Sequence, residues 1–525
     1  MTKKNELSDI WSEMVGEKGD LVERSESYAR WTIPAIMLPD GRQESEAGYE
    51  ADKGSVEIGA PVVNHLANRI VDVLFPVSRP FFTVRMTDDT QIALDQTVEE
   101  EQAGALREAV HTAMRKIENR AMNGMNLAAY RPMAIEVSKH LAVTGNSLIR
   151  VKKDNTRVQY GVNRYGVRRD ATGKVIEVML FDKKRLEAFD EKSQKLIKEV
   201  HFSMKPDDVL DLHTHYKLKD GKWLVRQEAD GVSLQNDTKV SEKDFDLIVL
   251  VWSLAPGENY GRGLVEDMAV AFHKLDVLGE AEMEFLAILT DLKFLVRPGS
   301  VLSKGIADLN RSRRGSYHVG VEGDISVPDM GKRTDVQVLR STIQDSEATV
   351  KEAFLMTSVR DAERVTAEEI RMVANQLEST FGGLYSRLSI QWQQPEAERA
   401  LEASQWRKLV DDADMYEIVV TTGLESLSRE GQIDNLRLAI GDMQMLEAVP
   451  EEIRAGFHPT RFAKFVAANR SVDVKDIMKT EAEIQAEQEA AMAQAGRMEQ
   501  QAAGAKAQGA VAEAAGKKAV EGGGQ

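Results

Sequence analysis

Arg360-Asp-Ala-Glu-Arg-Val-Thr-Ala-Glu-Glu-Ile-Arg-Met-Val-Ala-Asn-Gln-Leu-Glu378 is a charged segment that runs directly into a patterned one. Thr366 and Glu369 have the spacing of a capping box, in which hydroxyl and carboxylate each satisfy a backbone N–H that the first helical turn leaves unpaired. Behind this cap, Ile370, Val373, Leu377, Phe381, Leu384 and Leu388 recur at steps of three or four, which predicts one long amphipathic helix with a single apolar stripe. The preceding residues, 356–364, lack that stripe and carry Arg360, Asp361, Glu363 and Arg364 within five positions, so they read as an exposed loop.

Outward from this segment the chain is mainly helical, with a β-rich insertion. Residues 4–32 read as one helix stopped by Pro34, and about 58–75 as a second, with Val62, Leu66, Ile70 and Val73 on its buried side. A short strand at Phe81–Arg85 and a helical layer from Asp89 to Thr144 follow. From Ser147 short β-rich runs, at 148–151, 175–180, 209–216, 223–226 and 247–252, alternate with turn residues such as Thr172-Gly173 and Asp220-Gly221, predicting a mixed sheet. A long helix should resume after Gly257–Gly263 and reach about Leu292, followed by a glycine-rich strand-and-turn unit and a helix over about 341–356. After Pro395 the chain is helical, with one strand-like piece at 418–422. Beyond Thr480 alanine, glutamine, glutamate and glycine dominate, a composition that buries no core and predicts a mobile tail. The fold class is α+β, mainly α.

The chain has 525 residues, enough for three or four domains or one elongated subunit with lobes. Its stretches without charge fall short of the ~20 apolar residues that span a bilayer, and its first twenty residues lack the apolar centre of a signal peptide, so folding in the cytoplasm is expected. The absence of cysteine excludes disulfides, thiolate metal sites and cysteine nucleophiles. A formal charge of −17 argues against a broad nucleic-acid grip, because such grip comes from cations displacing counterions; it is compatible with DNA sliding past sparse cations.

No motif supplies a catalytic centre. Gly257–Gly263 lacks the Gly-Lys-Ser/Thr of a Walker loop and reads as a sheet-to-helix hinge. His213 and His215 share one side of a strand with Asp211, tolerable metal geometry without a third ligand cluster, so a structural role is expected and no cofactor or metal. Arg311, Arg313 and Arg314 form a basic cluster that either docks an acidic partner or nucleic acid or is a solvated loop tip. Arg360 and Arg364 stand above a surface salt bridge because two helices hold their loop in place.

Arg364-Val-Thr-Ala-Glu-Glu-Ile-Arg371, Leu377-Glu378 and Gly383-x-Tyr385 resemble the signature of portal proteins, the head-to-tail connectors of short-tailed, podovirus-type bacteriophages. Tyr28-Ala-Arg-Trp-Thr-Ile-Pro34, Leu74-Phe-Pro76, Thr144-Gly-Asn146, Arg169-Asp-Ala-x-Gly173, Tyr260-Gly-Arg262 and Thr422-Gly-Leu-Glu425 look like family motifs in the family's order, over roughly residues 10–440. The resemblance implies a dodecameric ring at one capsid vertex, without enzymatic activity, through which duplex DNA is packaged by a separate terminase ATPase, retained and ejected. It also implies docking of a tail adaptor, contact with capsid and internal core proteins, no membrane binding, and a place in the virion after assembly in the host cytoplasm. Laid on this chain it makes 1–261 the wing, 262–293 the first stem helix and 294–340 the clip, with Arg311, Arg313 and Arg314 as docking cations. Residues 341–356 become the second stem helix, 357–365 the tunnel loop with Arg360, Asp361, Glu363 and Arg364 facing DNA, and 366–395 a long wing helix capped by Thr366 and Glu369. The crown is 396–480 and the tail 481–525. The alternatives are a soluble nucleotide- or metal-dependent enzyme using Gly257–Gly263 or the His213/His215 pair, and a structural adaptor without a channel.

Overall fold

In a computed structural model the described residues are 6–37, 54–77, 80–87, 89–90, 92–93, 100–152, 155–242, 244–290, 295–298, 321, 325–326, 333–356, 376–381, 383–408 and 415–420. The chain divides into two units at Leu424/Glu425, and all described residues belong to the first.

The N-terminal segment is two helices rather than one, α1 (Glu6–Glu17) and α2 (Leu21–Trp31). Gly19, at φ +56°, breaks the run, since that backbone conformation favours glycine and cannot continue a right-handed helix. Helix α3 (Gly59–Leu74) buries Val62, Leu66, Ile70 and Val73 as its periodicity demands. Strand β1 (Phe82–Met86) follows, then α4 (Glu100–Leu127) and α5 (Tyr130–Thr144), which ends at Gly145 in the left-handed region.

The insertion holds two antiparallel sheets rather than one mixed sheet. In the first, β2 (Asn146–Val151) lies between β3 (Arg157–Tyr160) and β9 (Leu247–Val251). The second is a five-stranded meander of β4 (Tyr165–Arg169), β5 (Val175–Arg185), β6 (Val209–Lys219), β7 (Lys222–Ala229) and β8 (Val232–Ser241), with α6 (Glu191–Val200) between β5 and β6. Two-residue Asp-Gly turns with positive φ at both positions, Asp220-Gly221 and Asp230-Gly231, join β6 to β7 and β7 to β8, because that turn matches the strands' own twist.

After the insertion come α7 (Leu264–Asp267) and α8 (Ala269–Thr290), separated by a break at Met268. Strands β10 (Leu295–Val296) and β11 (Ile325–Ser326) pair antiparallel. Helix α9 (Arg333–Ala353) begins earlier than the pattern over 341–356 indicates. It runs antiparallel to α8, with Phe354 edge-on to Phe272 at 5.8 Å near one end and Arg340 paired with Glu282 at 2.8 Å toward the other.

The helix expected to continue to 395 is interrupted. Residues 376–380 are helical, but Gly383 adopts φ +84° and a new helix, α10 (Leu384–Leu388), starts there. Glu378 stabilises the restart, its carboxylate accepting from Ser386 N at 3.0 Å and Ser386 Oγ at 2.7 Å. A π turn, Ser389–Gln393, leads into α11 (Gln394–Ala403), and β12 (Tyr416–Val420) pairs antiparallel with β1. Leu377, Leu384 and Leu388 are buried and Phe381 half-buried, although one straight helix does not carry them; Ile370 and Val373 lie outside the described residues.

One large core joins α2–α5, both sheets, α8, α9 and the segments from 377 to 406. Two smaller cores stand apart: one under α6, from Leu186 to Val232, and one of Leu7, Met14 and Met179 under α1.

Candidate functional site

The motifs at 144–146, 169–173 and 259–262 meet where the first sheet hands the chain to α7 and α8. Asn146 is the clamp: its amide nitrogen donates to Thr144 O and Gly261 O, both at 2.7 Å, and its Oδ1 accepts from Gly261 N at 2.7 Å. Trp252 N donates to Gly145 O at 2.9 Å and Arg262 N to Ser253 O at 2.8 Å, so β9 and the incoming loop are fastened to the same turn. The backbones approach too closely for side chains. A Cβ on Gly145 would lie 2.3 Å from Arg262 C, one on Gly261 2.7 Å from Ser253 O, and one on Gly263 2.7 Å from Gly145 N.

Side chains lock the periphery. Arg169 donates through Nε to Asn259 O at 3.0 Å and through Nη1 to Gly173 O at 2.9 Å, while Asn259 Oδ1 accepts from Arg169 N at 2.8 Å. Val167 N donates to the Tyr260 hydroxyl at 3.0 Å, and burial pushes that phenol's pKa up. Arg24 of α2 reaches Glu266 of α7 at 2.7 Å, and Arg387 of α10 donates to Trp252 O. The direction in which α7 and α8 leave the sheet is therefore set by four chain segments at once.

A second junction fixes the side of α8. The buried Asp276 accepts from Trp31 Nε1 at 3.1 Å and Ser55 N at 2.7 Å, and a Cβ on Gly279 would lie 2.6 Å from Ser55 O. The motif Leu74-Phe-Pro76 forms a third: Phe75 packs edge-on against Phe81, Tyr130 and Trp392, each at 5.0 Å, and Gln393 and Arg131 donate to Leu74 O and Phe75 O. Nearby, Arg157 and Glu396 form an ion pair at 2.9 Å with side chains 2% and 0% exposed, and burial raises the Glu396 pKa against the pull of Arg157.

His213 and His215 go to different structural tasks. His215 lies 2.8 Å from Glu177, whose carboxylate also meets Arg168 at 3.0 Å and Lys217 at 3.1 Å; the His215 hydrogen bond, then those to Arg168 and Lys217, hold its pKa at about 2. His213 packs among Trp11 and Phe181, where burial lowers its pKa, and Asp211 is exposed. Among the described residues no three His, Cys, Asp or Glu side chains are grouped to hold a metal, and no helix is long and apolar enough to cross a membrane. The loop at 257–263 links the sheet to α7, but as a fixed junction rather than the hinge its composition indicated, its backbone committed to Asn146 and Ser253.

Arg311, Arg313, Arg314, Arg360, Asp361, Glu363, Arg364, Thr366 and Glu369 lie outside the described residues. The roles of Asn146, Asp276 and Lys18 and the Arg157–Glu396 pair escape sequence reading. Glu396 is 239 positions from Arg157, and nothing local in either segment signals the other.

Helix α8 is apolar on more than its packed side. Phe272 and Leu275 are buried, yet Val270 and Val277 are exposed, Val270 at 85%. The exposed positions Val270, Lys274, Val277 and Ala281 follow each other at steps of four, three and four, so they form one stripe facing away from α9.

The chain is 29% identical over 503 residues to a portal protein of Enterobacteria phage SP6, covering 94% of this chain and 93% of that one. It is 29% identical over 520 residues to a portal protein of Pseudomonas phage phiKMV, at 94% and 96% coverage, and 27% identical over 444 residues to one of Escherichia phage T7, at 82% and 80%. A family model described as bacteriophage head to tail connecting protein matches residues 4–478, and this chain belongs to that family.

Proposed function

We propose that the chain is the portal subunit of a short-tailed phage, assembling into a dodecameric ring at one capsid vertex through which duplex DNA enters and leaves. The observation that carries this reading is the family match across 4–478, together with relatives named portal proteins that align along nearly the whole chain. In the ring, residues 1–261 act as the wing, 262–293 and 341–356 as the stem, 294–340 as the clip, 366–395 as a wing helix and 396–480 as the crown. The exposed Val270, Val277 and Ala281 of α8 support the stem role, since apolar side chains that no described residue covers are stabilised by a neighbouring subunit.

The subunit does no chemistry of its own: a separate terminase ATPase drives DNA, while the clip, through Arg311, Arg313 and Arg314, holds the motor and later the tail adaptor. Capsid and internal core proteins pack around the ring at the portal vertex. Arg360 and Arg364, spaced by Asp361 and Glu363, are sparse cations on an acidic chain, which suits contact with moving DNA better than tight binding. Negative-stain microscopy of the purified chain tests the reading. Rings with an axial hole wide enough for duplex DNA are expected, and a stable monomer at micromolar concentration overturns it. Replacing Arg360 and Arg364 together by Glu is expected to leave rings intact and impair packaging; unchanged packaging would remove the loop from the DNA path.

A further inference from the structure

Helix α1 is attached apart from the main core. Its buried residues, Leu7 and Met14, meet Met179 in a core of their own, separate from the main one. Trp11 stacks on Phe181 at 5.3 Å, and Met14 fills the notch left by Gly166, where a Cβ would lie 2.7 Å from the Met14 sulfur. Each end has one buried polar tether. The Glu228 carboxylate faces the Leu7 amide, and Lys18 Nζ donates to Val162 O at 2.8 Å. Lys18 is 5% exposed, lies over the Trp11 ring at 4.9 Å and forms no ion pair among the described residues, and burial lowers its pKa to about 7. The pairs from Arg168 to Glu13 and Glu17 sit at the rim, where solvent weakens them. Gly19 then turns the chain at φ +56° with open space around it.

We propose that α1 is a hinged strap that undocks as a unit from the five-stranded sheet, pivoting at Gly19 while the rest of the fold stays intact. Undocking uncovers the face that carries Met179, Phe181 and His213, turning a buried aromatic surface into an accessible one. The strap combines a small independent core with a buried lysine that has no counterion among the described residues, and such elements open below the free energy of global unfolding.

Because the chain has no cysteine, a single introduced thiol reports opening directly. Met179→Cys lies beneath α1 and Val63→Cys in the main core, both at positions 0% exposed. Under native conditions maleimide should modify the thiol at 179 at least tenfold faster than that at 63, and adding Leu7→Ala should accelerate only the former. Equal rates would mean that α1 opens only when the whole fold does, which overturns the proposal. Should either cysteine variant fail to fold, hydrogen exchange of the parent chain decides: α1 amides should exchange at least tenfold faster, relative to their intrinsic rates, than those of α5. Coincident protection would be equally fatal.

Discussion

The junction around Asn146 and the dock of α1 are both places where a helix meets a sheet, yet they are built from different materials. At the junction backbone meets backbone: glycines at 145, 261 and 263 admit contacts that no side chain could enter, and one buried amide satisfies three backbone groups. At the dock the contact is made mainly by side chains, and their core is not continuous with the main one. A backbone junction has no alternative packing, because its donors and acceptors would be left buried and unpaired. A side-chain dock can part and be solvated. The first therefore fixes the direction of α8, and the second leaves α1 free to open.

Breaking the junction should be the most damaging change. Gly145→Ala places a methyl group against Arg262 and strains a left-handed residue, and should cost at least about 3 kcal/mol in urea unfolding. A loss below ~1 kcal/mol would show that the backbones can move apart. Asn146→Ala, which deletes three hydrogen bonds and strands the Gly261 amide and carbonyl, should cost about 2–3 kcal/mol by the same measurement.

Truncations at the dock sharpen the contrast. Leu66→Ala in the main core should cost ~2–5 kcal/mol, whereas Leu7→Ala with Met14→Ala should cost below ~2 kcal/mol globally, because local undocking limits the loss. Lys18 adds a pH dependence of definite sign. Its folded pKa of about 7 lies below the ordinary lysine value of 10.5, so the folded state binds its proton less readily than the unfolded chain. Its contribution to stability then rises with pH from about 7 toward 10.5 and is level below 7. Lys18→Met should accordingly lose ground to the parent as pH rises, the stability difference moving in the parent's favour by roughly 3 kcal/mol between pH 7 and pH 10. A gap that stays constant would mean Lys18 keeps its proton when buried. The smallest effect belongs to the rim: Arg226→Ala, which breaks exposed pairs with Glu6 and Asp237, should change stability by no more than ~0.5 kcal/mol.

Much of this fold is legible in the sequence where one local signal is sufficient. Periodicity places α3 and α5 to within a residue or two, and alternation and Asp-Gly turns place β6 and β7. Strand β8, Val-Ser-Leu-Gln-Asn-Asp-Thr-Lys-Val-Ser, is too polar to announce itself and becomes a strand because β7 supplies its hydrogen bonds. Gly19 and Gly383 look tolerable inside helical patterns, yet both adopt positive φ and interrupt them. Of the candidate site, the family motifs are visible as short strings, but nothing in them tells that Thr144-Gly-Asn146 grips Tyr260-Gly-Arg262.

By itself, the sequence determined the helical frame, the β-rich insertion, the absence of thiol chemistry and the ordered motifs that mark the family, because each of these is encoded over a few neighbouring residues. Tertiary structure alone decided that the strands form two antiparallel sheets, that Arg157 meets Glu396, that Asn146 clamps the start of α7 and that α1 rests on a core of its own. Those outcomes depend on contacts across tens to hundreds of positions, where burial and the need to pair every enclosed polar group override local preference.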